Sequence, residues 1–199
     1  MPVEIDLSLY PSVIYRRWAA ATTERPPQGA VVLFRRPLLV CLVLGVSVAL
    51  GATGRVSSGL VLSAAAVWSF VPAVQLAAFA VTTRLFTGRA PAGARSVDLF
   101  FMGHLPWSLW LIALSSAAAL TFPNGVAGWP RALVMAATIS IVVPVAATAR
   151  IVRAYFGEIT GLPPRRARAA TALYEGLVWG FAIAFASWAV QAGPRFFGA

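Results

Sequence analysis

Residues 59–81 read GLVLSAAAVWSFVPAVQLAAFAV, without one charged side chain. At 1.5 Å of rise per residue, a helix of this stretch covers the roughly 30 Å hydrocarbon core of a bilayer. The apolar character is unbroken rather than alternating, which excludes barrel strands. Outward from it, residues 37–54, 99–120, 132–150 and 172–192 repeat the pattern. The predicted fold is therefore all-α: a polytopic transmembrane helical bundle of five spans.

Composition agrees. Of 199 residues, 59% are hydrophobic and only 11% charged, with a mean hydropathy of +0.79. A soluble surface needs roughly a quarter charged residues. The net charge is +10, and all 16 basic residues are Arg. Such a balance normally raises nucleic acid as a partner. Here the charges lie between apolar runs, so the expected partner is a bilayer with anionic head groups, and no nucleic acid.

Thirteen of the arginines fall on one side of the five spans. Arg16, Arg17, Arg25, Arg35 and Arg36 precede the first, Arg84, Arg89 and Arg95 follow the second, and Arg150, Arg153, Arg165, Arg166 and Arg168 separate the fourth from the fifth. Arg55, Arg131 and Arg195 lie opposite. The positive-inside rule then predicts a cytoplasmic N-terminus and an outer C-terminus. Three parts follow: a cytoplasmic segment 1–36 with an interfacial helix at 11–21, a transmembrane domain 37–192, and a short outer tail 193–199. Arg16, Arg17, Arg35, Arg36, Arg165, Arg166 and Arg168 are the expected contacts to head groups or to a partner. Glu4 and Asp6, without a basic-then-apolar start, predict no cleavable signal.

Catalytic chemistry finds little material. Cys41 is alone, which gives no disulfide framework and no Cys cluster. His104 is also alone, too few for a paired-ligand metal site. No phosphate-binding or dinucleotide-binding turn is present. The expectation is a non-enzyme with neither cofactor nor metal.

Polarity gathers at one depth. Gln75 lies about six residues, roughly 9 Å, from the inner end of the second span, and His104 stands at a similar level in the third. Pro72, Pro106 and Pro144 fall in the same half, and each displaces the helical bond to the carbonyl four residues earlier, at Trp68, Met102 and Ser140. Kinks plus Gln75 and His104 predict a slightly polar, irregular layer, since freed carbonyls in lipid need partners. It either locks helix packing through bonds of about 0.6–2 kcal/mol or receives a ligand; packing is the favoured outcome. Glu175 is expected in the first turn of the fifth span, complementing the helix dipole. Gly176, Gly180 and Ala184, four apart, are helix-packing residues that allow close approach between membrane helices. Trp68, Trp107, Trp110 and Trp179 lie deep, where an indole N–H wants a partner.

The run at 33–39 (LFRRPLL), the sequence Gly103-His104-Leu105-Pro106 opening the third span, and a cytoplasmic stretch followed by five close spans together resemble the bacterial branch of the Yip (Ypt-interacting-type) family. That resemblance covers residues 30–192 and implies a non-catalytic membrane organiser in the bacterial inner (cytoplasmic) membrane. The leading expectation is a scaffold or accessory subunit working with other membrane protein subunits. Alternatives are a small permease or channel component using the Pro-kinked layer, and a pigment- or cofactor-holding subunit with His104 as axial ligand.

Overall fold

A computed structural model of the chain describes residues 30–91, 93–121 and 130–197. Residues 11–21, with Arg16 and Arg17, lie outside them. The elements are α1 (Ala30–Thr53), α2 (Ser58–Val67), α3 (Phe70–Thr87), α4 (Gly93–Met102), α5 (Leu105–Thr121), α6 (Arg131–Ser140), α7 (Val142–Ala154), a π-helical turn (Tyr155–Ile159) and α8 (Pro164–Phe197). Among the described residues every regular element is helical. Three stretches are long and apolar enough to cross a membrane: Arg35–Thr53, Ser58–Thr87 and Arg131–Ile159. The pair α4 and α5, bent by 45°, makes a fourth if it is one broken span. Large apolar side chains on these helices, among them Leu38, Leu62, Val67, Leu109 and Val143, face outward, as a lipid-facing surface requires.

Helix ends differ from the sequence reading in three places. α1 begins at Ala30 and carries Pro37 inside it rather than at its start. α8 begins at Pro164, so Glu175 sits three turns into the helix, not in its first turn. The arginines at 165–168 belong to that helix, because Pro164 is suited to a first helical position, where a missing N–H costs nothing. At the other end α8 runs through the expected tail to Phe197.

The three predicted kinks are unequal. Before Pro72, α2 passes to α3 at Trp68 and Ser69, and the Trp68 carbonyl accepts the Val71 N–H at 3.0 Å. Before Pro144, α6 passes to α7 at Ile141, whose N–H bonds the Thr138 carbonyl at 3.3 Å. Both spans stay continuous. Before Pro106 the helix breaks outright. The N–H groups of Gly103 and His104 turn back to the carbonyls of Phe100 and Phe101 at 3.0 and 3.1 Å, three residues away rather than four.

The densest packing lies at one end of the bundle. Every residue from Val97 to His104 is buried, Asp98 and His104 among them. Phe79 stacks on Phe100 at 4.1 Å, and Tyr155 and Tyr174 meet Phe100 edge-on at 5.6 and 5.0 Å. Phe156, Leu162, Ala167 and Ala170 complete this core from the π-helical turn and the start of α8. Thus the second half of α4 is a buried plug that lies along α1, with side chains of α3, α7 and α8 closing over it. Beside it, Arg36 Nε of α1 donates to Asp98 Oδ1 of α4 at 2.5 Å, with Asp98 almost fully buried.

Candidate functional site

The site is best built from the helix breaks. Trp68 and Ile141 mark the two irregular turns within continuous spans and His104 the outright break, and all three line one cavity of about 350 Å³. Its wall takes residues from α1 (Val40, Val43, Leu44), from α3 (Val71, Gln75), and from both α7 and α8 (Thr148, Glu175). Proline placement explains the space: a helix that breaks cannot pack a continuous ridge into its neighbour's groove.

Gln75 and His104, singled out from sequence, are brought to the same wall. They are not joined by a hydrogen bond. Gln75 Oε1 and His104 Nδ1 are buried without a protein partner, and so are Thr148 Oγ1 and Glu175 Oε1 on the same wall. The His104 ring itself is held by its neighbours. It stacks on Phe101 at 4.8 Å and meets Phe100 edge-on, and the residue is only 3% exposed. A buried polar atom without a partner costs about 1–3 kcal/mol. The four residues that carry such atoms line one cavity, whose wall is otherwise mostly apolar.

Tryptophans close the wall. Trp68, Trp107, Trp110 and Trp179 all line the cavity. Trp179 Nε1 donates to Glu175 Oε2 at 3.1 Å, and Trp110 Nε1 donates to Ser140 Oγ at 3.0 Å. Glu175 is therefore the acceptor that steadies an indole one helical turn along, a role the sequence reading missed by placing it at the helix start.

A second cavity of about 390 Å³ adjoins the first and shares Leu44, Trp110, Leu111 and Ile141 with it. It continues along α1 to Gly51 and along α5 to Ala118. From Val40 to Gly51 is roughly 16 Å of helix, more than half of a hydrocarbon core of about 30 Å. Trp110, pinned to Ser140, stands at the junction.

The remaining predicted residues lie elsewhere. Arg36 is engaged with Asp98, while Arg35, Arg165, Arg166 and Arg168 are exposed on the helices that carry them. Gly176, Gly180 and Ala184 form an exposed stripe on α8, and a Cβ added at either glycine meets nothing within 4 Å. The close-approach glycine of this fold is Gly45, on α1. There an added Cβ would lie 2.4 Å from the Val61 carbonyl oxygen and 2.9 Å from Ala65 Cβ of α2.

The class these features define is an all-helical protein with three or four helices able to cross a membrane and, among them, a mostly apolar cavity whose wall includes a few polar side chains. No family model matches the chain, and neither a curated protein nor a solved structure does.

Proposed function

We propose that this protein receives a small ligand within the membrane, as a small permease or the binding component of one. One observation carries the reading: four residues that each hold a buried polar atom without a protein partner, Gln75, His104, Thr148 and Glu175, come from different parts of the chain to line one cavity. Packing alone would pair those atoms with each other, because interhelical hydrogen bonds are what polar side chains contribute to membrane bundles. The second cavity supports passage rather than storage, since it extends the first along α1 and α5. In this reading α8 is a fifth crossing, the N-terminus is cytoplasmic, and the Arg165–Arg168 end of α8 lies at the inner face. No bond is made or broken in the protein.

The accessory-subunit reading keeps one supporting observation. The Gly176, Gly180 and Ala184 stripe faces away from the other helices and is open to another membrane protein. The Yip-type resemblance belongs with that reading.

Native mass spectrometry tests the ligand directly. Protein extracted from its own membranes in mild detergent is expected to carry a small-molecule adduct. A variant with Gln75→Leu and Thr148→Val, which removes two of the unpartnered atoms, is expected to lose at least about nine-tenths of it, equivalent to 1.4 kcal/mol. An adduct-free wild type, or equal adducts in both proteins, counts against the proposal.

A further inference from the structure

We propose that the cavity takes an organic cation, an apolar body carrying an ammonium-type charge that settles against Glu175 and the surrounding indole rings. This rests on the ligand-site reading above and adds the charge class of the ligand.

Three features of the wall point the same way. The first is its formal charge: Glu175 is its carboxylate, and among the described residues no Arg lines it. The second is the state of its donors. The N–H of Trp179 is committed to Glu175 Oε2 and that of Trp110 to Ser140. Those two N–H groups are therefore not available to a guest, and the four indoles that line the cavity are of the ring type that attracts a cation most strongly, the more so when water is excluded. The third is the character of the unpartnered atoms. Gln75 Oε1 and Glu175 Oε1 are acceptors, Thr148 Oγ1 accepts as well as donates, and a neutral imidazole keeps one accepting nitrogen. An anion would meet no guanidinium among the described residues here, and the N–H groups of Trp110 and Trp179 are already used. A purely apolar guest would leave the acceptors unbonded.

The cavity volume of about 350 Å³ falls at the small end of ligand pockets and suits a single-ring amine or quaternary ammonium. Trp179 is held by the same carboxylate that would face the charge, so the cage and the counter-charge are fixed together by one hydrogen bond.

The experiment compares three probes of similar size on the full chain in lipid nanodiscs: benzyltrimethylammonium, its uncharged carbon isostere neopentylbenzene, and phenylacetate. Binding is followed by tryptophan fluorescence, with empty nanodiscs as the blank. The cation is expected to bind at least about tenfold more tightly than the isostere. Glu175→Gln keeps an oxygen acceptor for Trp179 and is expected to erase that preference, whereas Glu175→Asp, which keeps the charge, retains a measurable part of it. A thermal melt with wild-type cooperativity shows that each variant is folded. Equal binding of cation and isostere overturns the charge inference and leaves the cavity as a ligand site. Tightest binding of phenylacetate, or an unchanged preference in Glu175→Gln, overturns it too. Failure of all three probes overturns it as well, and the water accessibility of position 75 then decides whether the ligand-site reading falls with it.

Discussion

Arg36→Leu is expected to destabilise the protein by about 3–5 kcal/mol, because it strands the Asp98 carboxylate without its counter-charge. The reciprocal change is expected to cost less. Asp98 has a side chain 5% exposed, against 26% for Arg36. With Asp98→Leu the arginine has a long stem and a route toward the head groups, so the loss is nearer 1–3 kcal/mol. The double variant Arg36→Leu, Asp98→Leu is expected to be more stable than Arg36→Leu alone, since no uncompensated charge is left. Unfolding by denaturing detergent in mixed micelles, run on the full cycle, measures all three differences. A loss in Arg36→Leu no larger than in Asp98→Leu would mean that the pair does not hold α4 against α1.

Gly45 is the second site of large effect. Alanine normally gains about 0.8–1.0 kcal/mol over glycine inside a helix. Against that gain stands a Cβ placed 2.4 Å from the Val61 carbonyl oxygen and 3.1 Å from the Ala65 backbone nitrogen. Backbone atoms cannot move aside as a side-chain tip does, so α1 and α2 must separate. Overpacking of this kind costs about 1–3 kcal/mol or more, and the clash wins. Gly45→Ala is expected to be destabilising and Gly45→Val more so. By contrast, Gly176→Ala and Gly180→Ala, with open space around each, are expected to stay within about 0.5 kcal/mol of wild type in the isolated chain. The same unfolding titration separates the two pairs. Equal effects at Gly45 and Gly176 would show that α1 and α2 do not cross as described.

These two sites also show where sequence reading stops. Pattern alone finds helical membrane spans and the proline positions at which they break, because both depend on residues close together in the chain. It points to Gln75 and His104 through their depth. Glu175 joins them only through the true start of α8, which the arginines at 165–168 disguise as loop. Arg36 reads as one of many inner-side arginines, and its partner lies 62 residues away, so the ion pair has no local signature. Gly45 is followed four residues on by Ala49, the same small-residue spacing as Gly180 and Ala184, so spacing alone does not tell the packed pair from the exposed one. The importance of Gly45 arises from where α2 crosses it. The four unpartnered atoms of the cavity are a tertiary fact of the same kind.

The cavity is the centre of the functional proposal, and chemical accessibility tests it most directly. Cys41, the free cysteine, is first replaced by serine. Gln75→Cys is then compared with Leu62→Cys, whose position is 64% exposed on the outer face of α2 and lies against lipid. A water-soluble maleimide applied from both sides of the membrane is expected to label position 75 and spare position 62. Protection of position 75 to the same degree as position 62 would contradict an intramembrane site open to a ligand from water.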